Sequence, residues 1–432
     1  MMKKYELELS DENIKETLEK DVLSRNKKLV MLAKILLNQK ENIIISIDGN
    51  WGCGKTFFIK QFEYILKKIE TFKDDTIFCE EDKNVFKKLS NDNLIVYYNA
   101  WENDDHDNPL ESMMFSILNE FPQQKSQLIS FDEYRKLIVS FFNDIVKAAS
   151  METIDLKHFS EMKSYEDMTK SVMTIEEKKS VFNKLIDNIL TKNQRLILII
   201  DELDRCKPSF AVKILETIKH FYFNHKITII VATNNSELSH TIRNYYGNGF
   251  DGYGYLNKFY DAIISLDSHN LKKYLQNQLN FCNKTWMPHD FSYVILKHYN
   301  FSLRECNKFI TIYNLLKNYI ENESTFDKYK NYIFNDLFLP LAVALKIKNI
   351  DLYQSFMNNK GENIILELLK SFEKKNIKHW VHEIVLKANN NDISDERKII
   401  NYYNEIFGDN EFSFNFYEAV SLLGSKINLN NE

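Results

Sequence analysis

One segment constrains this chain of 432 residues more than any other, the run Gly49-Asn50-Trp51-Gly52-Cys53-Gly54-Lys55-Thr56. It matches G-x-x-x-x-G-K-[ST] in full, and its flanks predict a strand before it and an amphipathic helix after it. Glycines let such a loop wrap a phosphate with its backbone N–H groups, while the helix start adds a positive dipole end. The alternative is a tight turn that contains Lys-Thr by chance. The segment predicts a phosphate site at the edge of a parallel sheet.

The side chains of this loop have separate expected tasks. Lys55 would reach the β- and γ-phosphates of a nucleotide, and the hydroxyl of Thr56 would bind Mg²⁺. Gly49, Gly52 and Gly54 allow the backbone to approach the ligand closely. We therefore expect every residue from Gly49 to Thr56 to contribute to the binding of ATP and Mg²⁺.

The composition excludes several classes of protein. With 44% hydrophobic residues the chain can bury a large core, so it is not a disordered or collagen-like protein. Its net charge of −5 gives no support to nucleic-acid binding, although a local basic patch would leave that partner open. Five cysteines without a C-x-x-C pair argue against disulfides and zinc, which favours a cytoplasmic protein.

No membrane segment is predicted. The first twenty residues are charged throughout, which is not typical of a secretory signal. The longest apolar stretch, 337–345, is far shorter than the roughly 20 residues that a spanning helix needs.

Short β-branched runs alternate with helical patterns, which predicts an α/β fold. The runs share flanking polar residues and lie at 43–47, 94–98, 196–200, 227–232 and 262–266. We expect a three-layer core with a parallel sheet over 41–268, preceded by a helical segment over 1–40. The polar and apolar mixing of 102–193 predicts a helical insertion. A helical lid-like subdomain over 269–330 and a helical C-terminal region of unknown role over 331–432 would follow.

The strand 196–200 ends in the carboxylates Asp201 and Glu202. In a phosphate-loop protein, a carboxylate at this position supports Mg²⁺, and its neighbour can orient and deprotonate the attacking water. Asp201 fits the first role and Glu202 the second, which favours hydrolysis. Alternatively, Glu202 is a solvated carboxylate and the site only binds. Asp204 and Arg205 could pair structurally or touch the nucleotide.

The next strand leads into Asn234 and Asn235. Ligands collect at the carboxyl ends of strands in open α/β sheets, so Asn234 is a candidate sensor of the γ-phosphate. Asparagine is also a favoured helix cap, and either residue could cap the helix that follows.

These residues resemble the KAP family of P-loop NTPases, within the class related to AAA+ and STAND proteins. The resemblance rests on the phosphate loop with Trp51, on Tyr98-Asn99-Ala100-Trp101, on Asp201-Glu202-Leu203-Asp204-Arg205-Cys206, and on Tyr255-Leu256-Asn257-Lys258. It covers about residues 20–310. The family often has two aspartates at 201–202 and usually has aspartate where Asn234 stands. Many members also carry membrane helices between the two nucleotide motifs, and this chain does not.

The resemblance implies further site residues and a biological role. Lys258, just before the last core strand, occupies the place of a basic residue that reaches into a neighbouring subunit. Arg304 resembles a second sensor arginine that closes on the γ-phosphate. The resemblance thus implies an ATPase in a homo-oligomer or with an effector protein, acting as a conformational switch in bacterial anti-phage defence. A non-hydrolysing nucleotide-gated scaffold and a kinase of a small acceptor are the alternatives.

A second group of glycines, within 247–254, has no motif chemistry of its own. It is expected either to be a flexible segment that lets Lys258 reach across an interface or to be a plain surface loop.

Overall fold

A computed structural model of the chain describes residues 7–39, 41–71, 77–106, 109–124, 194–221, 224–266, 271–278, 288–323, 333–372 and 395–408, with a few isolated residues between 183 and 190 and residue 331. Most of the predicted insertion lies outside the described residues. The chain divides into two compact units, which we call the sheet unit and the helical unit. The sheet unit comprises Leu9–Asp21 and Arg25–Asp267, and the helical unit takes the residues from 268 onward together with Val22–Ser24.

Among its described residues, the sheet unit has five parallel strands in the order β2-β3-β4-β1-β5. The strands are β1 (Ile44–Asp48), β2 (Asn93–Asn99), β3 (Arg195–Asp201), β4 (Ile227–Thr233) and β5 (Ala262–Ser265). All five predicted runs therefore form strands of one sheet. Because β4 lies between β1 and β3, the phosphate loop and the acidic end of β3 flank the end of β4.

Each central strand is hydrophobic on both faces, which is why the runs do not alternate with polar residues. On β3, Leu196, Leu198 and Ile200 pack into one hydrophobic cluster, and Ile197 and Ile199 pack into another on the opposite face. The sheet is thus the middle layer of a three-layer α/β core, as the sequence predicts.

Helices cover both faces of the sheet. Those on the face of Ile197 and Ile199 are α1 (Asp11–Lys20), α2 (Asn26–Asn38), α3 (Lys55–Lys68) and α4 (Glu80–Asp92). Those on the other face are α5 (Pro109–Gln124), α6 (Pro208–Phe221), α7 (Asn235–Tyr246) and α8 (Gly252–Asn257).

The second glycine group contains a packed helix rather than only a loop. Gly247 ends α7 with a φ of 112°, a conformation that strains other residues. Gly252 begins α8, and a β-carbon at this position would lie 2.2 Å from the Ser239 carbonyl oxygen. Gly252 therefore allows α8 to pack closely on α7, while the reach of Lys258 across an interface stays a prediction.

The helical unit has a hydrophobic core of its own, to which residues from both predicted helical regions, 269–330 and 331–432, contribute. The helices described in this unit are α9 (Leu271–Gln278), α10 (Pro288–His298), α11 (Leu303–Glu323), α12 (Leu339–Lys348), α13 (Ile350–Met357), α14 (Glu362–Lys370) and α15 (Asp395–Phe407), with a π-helical turn at Phe334–Phe338 before α12. In the core, the Tyr403 hydroxyl donates to the Phe356 carbonyl and accepts from the Gly361 amide. These bonds join α13, α14 and α15.

Among the helices that the structure describes, none is both long enough and apolar enough to cross a membrane.

Candidate functional site

The phosphate loop runs from the end of β1 to the start of α3. Gly52 and Gly54 have φ values of 76° and 90°, which glycine adopts without strain. Gly49 is packed so closely that an added β-carbon would lie 2.5 Å from the Cys53 sulfur. The thiol of Cys53 is buried, which raises its pKa, and it accepts a hydrogen bond from the Lys55 amide. The three glycines of the motif are thus explained by backbone conformation and close packing.

Lys55 is the first residue of α3 and is only 9% exposed. Its ammonium group donates to the Gly49 carbonyl at 2.6 Å and lies 3.5 Å from the Asn50 carbonyl. The lysine side chain therefore folds back onto the backbone of its own loop. A phosphate in the loop would offer this ammonium a charged acceptor in place of neutral carbonyl oxygens.

Thr56 and Asp201 meet beside the loop. The Thr56 hydroxyl donates to the Asp201 carboxylate, which also accepts from the Tyr97 hydroxyl at 3.1 Å and from the Glu202 amide at 2.8 Å. Asp201 is 1% exposed, and this burial raises its pKa although the hydrogen bonds oppose the shift. The two residues chosen from sequence as magnesium ligands thus lie in direct contact.

Glu202 follows Asp201 in a left-handed backbone conformation, with φ of 60°. Its side chain pairs with Arg205 at 2.9 Å and accepts a hydrogen bond from Asn99, the last residue of β2. Burial raises the pKa of Glu202, the Arg205 charge lowers it, and the nearby Asp201 charge raises it. The carboxylate is therefore restrained close to the predicted magnesium ligands, and its raised pKa favours proton uptake.

Asp204 and Arg205 do not pair with each other. Asp204 is buried and accepts hydrogen bonds from the indole of Trp51 and from the hydroxyl of Thr233 at 3.2 Å. Thr233 is the last residue of β4. Asp204 therefore ties the phosphate loop to the end of the neighbouring strand.

Asn234 caps α7 by accepting a hydrogen bond from the Glu237 amide at 3.3 Å. This is the capping role that the sequence left open, and the sensor role stays a prediction. Asn235 donates its backbone N–H to Asp48 at 2.9 Å, and its side-chain amide donates to the Ser46 hydroxyl at 3.0 Å. The turn after β4 is thereby attached to β1.

The two basic residues suggested by resemblance lie in different units. Lys258 ends α8 and is exposed, in the sheet unit. Arg304 is in the first turn of α11, in the helical unit. Their roles at the nucleotide stay predictions.

Three residues at the site escaped prediction from sequence: Tyr97, Asn99 and Arg25. Asn99 could have been found by the rule that identified Asp201, since it is polar and ends a parallel strand. Tyr97 gave no such signal, because it lies within an apolar run. Arg25 is distant in sequence from the loop, whose Cys53 carbonyl accepts from its guanidinium at 2.8 Å.

The donor atoms beside the loop suit magnesium. A threonine hydroxyl and a carboxylate are hard oxygen ligands, and Mg²⁺ commonly binds one or two such groups together with phosphate oxygens. Within the described part of the chain, no group of three or more His, Cys, Asp or Glu side chains could hold a metal ion. Thr56 and Asp201 are therefore suited to a magnesium ion that a nucleotide helps to bind.

Comparison with known families agrees with this geometry. The sequence profile of the KAP family P-loop domain matches residues 25–320, which is more than half of the chain. The chain belongs to the KAP family. This KAP protein is therefore a nucleotide-binding P-loop NTPase at the level of its family, as the resemblance implied. The comparison with curated proteins found no match.

Proposed function

We propose that this KAP protein is a Mg²⁺-dependent ATPase of the cytoplasm. The observation that carries the proposal is the placement of Glu202 directly after Asp201, whose carboxylate contacts Thr56 at the start of α3. A site that only stored nucleotide would have no need of a second, partly buried carboxylate beside the magnesium ligands. This arrangement supports hydrolysis over storage.

The side chains divide the work. Lys55 binds the phosphates, and Thr56 and Asp201 would hold Mg²⁺, which would neutralise charge on the phosphate oxygens. Glu202 orients a water molecule and accepts its proton, and the raised pKa of this carboxylate makes it a stronger base. Asn99 and Arg205 limit the positions that the Glu202 side chain can adopt.

We further propose that hydrolysis switches the conformation of the protein within a homo-oligomer or a complex with an effector. The switch is supported by the attachment of the phosphate loop to the end of β4 through Asp204. The setting in bacterial anti-phage defence rests on resemblance to the family alone.

The test is phosphate release from ATP by the purified chain, with and without Mg²⁺. Lys55→Ala should lower kcat/KM by roughly 10²-fold or more, because a charged transition-state contact is lost. Glu202→Gln should lower kcat by about 10²-fold or more while ATP binding is retained. An ATPase activity that is indifferent to both substitutions would contradict the assignment.

A nucleotide-gated scaffold that does not hydrolyse ATP is the second candidate. The ion pair between Glu202 and Arg205 favours it, because a paired carboxylate is a weaker base. Tight ATP binding without phosphate release, together with a nucleotide-dependent change of oligomer size, would support the scaffold. Phosphate transfer to an added small acceptor would instead indicate a kinase.

A further inference from the structure

The guanidinium group of Arg25 contacts two backbone carbonyls of the phosphate loop. Its Nη2 atom donates to the Cys53 carbonyl at 2.8 Å, and its Nη1 atom lies 3.5 Å from the Gly54 carbonyl. Arg25 is 6% exposed, so its charge has little access to water. A buried arginine is costly unless its donors find good acceptors, and here the phosphate loop supplies two of them.

The position of Arg25 is itself fixed by the helices before the sheet. Its backbone N–H donates to Asp21 Oδ1 at 2.7 Å, and the backbone N–H of Asn26 donates to the same oxygen at 3.1 Å. The Asn26 side chain donates to the Leu18 carbonyl at 2.8 Å, near the end of α1. The turn between α1 and α2 thus holds the arginine in place.

The contact of Arg25 with these carbonyls also affects the direction of the backbone N–H groups of the loop. In a trans peptide the N–H group is directed opposite to the C=O group. An arginine bound to the Cys53 carbonyl therefore turns the Gly54 amide to the other side. In loops of this motif, backbone N–H groups such as that of Gly54 bind the phosphates.

We propose that Arg25 is a positioning residue of the phosphate loop, which holds the Cys53 and Gly54 carbonyls outward so that the loop is preorganised for phosphate. Arg25 also adds a buried positive charge near the loop that would bind a polyphosphate. This proposal rests on the nucleotide-binding part of the proposed function. It assigns no contact between Arg25 and the nucleotide itself.

The chain offers a matched control. Arg195, at the start of β3, also donates to two backbone carbonyls, those of Gln39 and Glu41, each at 2.9 Å. It lies at the amino end of its strand, whereas the phosphate loop follows the carboxyl end of β1. Removal of Arg195 costs comparable hydrogen bonds without touching the loop.

The experiment compares Arg25→Met with Arg195→Met in the full chain. The dissociation constant for ATP is measured by calorimetry with Mg²⁺, and thermal unfolding is measured without nucleotide. Arg25→Met should weaken ATP binding about tenfold or more, as expected for a lost charge-assisted hydrogen bond, while Arg195→Met binds like the wild type. Arg25→Lys keeps the charge but not the paired donors of the guanidinium group, so its ATP affinity should lie between those of Arg25→Met and Arg195→Met.

Equal ATP affinity in Arg25→Met and Arg195→Met would overturn the proposal. If Arg25→Met does not fold, the comparison of Arg25→Lys with Arg195→Lys decides, and equal affinities again overturn it. Failure of both the wild type and Arg195→Met to bind ATP would instead contradict the proposed function, and this inference with it.

Discussion

The carboxylate of Glu202 lies 2.9 Å from the guanidinium of Arg205, three residues further along the chain. The same guanidinium lies 5.6 Å from the centre of the Trp101 ring, which is 47% exposed. Trp101 follows β2 after one intervening residue, Ala100. The proposed base is therefore connected through one arginine to an exposed aromatic ring at the edge of the sheet.

Replacement of Arg205 should change the pH dependence of hydrolysis. Glu202 acts as a base only when it is ionised, and the Arg205 charge lowers the pKa of this partly buried carboxyl. Arg205→Gln removes that effect, so the pKa of Glu202 rises further. The acidic limb of kcat against pH should therefore move to higher pH. Arg243→Gln, at the end of α7, is the control and should leave the limb in place. An unmoved limb in Arg205→Gln would argue against Glu202 as the base.

Asp201→Asn should stabilise the protein without ligands and abolish its response to magnesium. Burial raises the pKa of Asp201 above its ordinary value, so the ionised carboxylate opposes folding at neutral pH. This cost is present above the raised pKa and disappears as the pH falls toward about 4, near the pKa of an unfolded aspartate. The melting temperature of Asp201→Asn should therefore exceed that of the wild type at pH 7.5, and the difference should shrink on acidification.

The response to ligand provides the second half of this test. With ATP present, Mg²⁺ should raise the melting temperature of the wild type. In Asp201→Asn, the addition of Mg²⁺ should leave the melting temperature with ATP unchanged. Asp92→Asn, an exposed position on α4, is the control and should behave like the wild type in both respects. A lower melting temperature for Asp201→Asn at neutral pH would refute the prediction.

Trp51 should report on nucleotide binding. Its indole is 49% exposed, lies in the phosphate loop and donates to the buried Asp204. A ligand in the loop changes the surroundings of this ring, so ATP should alter the tryptophan fluorescence. Trp51→Phe should remove most of that change, whereas Trp101→Phe should retain it. A full fluorescence change in Trp51→Phe would show that another tryptophan responds.

Gly252→Ala should destabilise the sheet unit. The added methyl group would meet the Ser239 carbonyl at 2.2 Å, and overpacking of this kind costs about 1–3 kcal/mol of unfolding free energy. Gly249→Ala is the matched control, since nothing lies within 4 Å of its β-carbon. Denaturant unfolding of the two variants measures the difference. Equal stability would mean that α8 does not pack on α7 at Gly252.

Local patterns in the sequence were sufficient for much of the fold. The five apolar runs become the five strands because β-branched residues buried on both faces suit a parallel sheet. The start of α3 at Lys55 follows from the glycine-rich loop before it. By contrast, the packing of Gly252 on Ser239 could not be predicted, since a glycine that permits a close approach looks the same in sequence as one in a mobile loop.

The candidate site divides in the same way. The sequence by itself determined the phosphate loop and the pair Asp201 and Glu202, because these are contiguous motifs whose chemistry depends on neighbouring residues. Only the tertiary structure decided that Asn99 restrains Glu202, that Asp204 connects Trp51 to Thr233, and that Arg25 binds the loop from outside. The order of strands in the sheet and the turn between α1 and α2 bring these groups together. Contacts between residues far apart in the chain depend on such packing, and no local pattern encodes it.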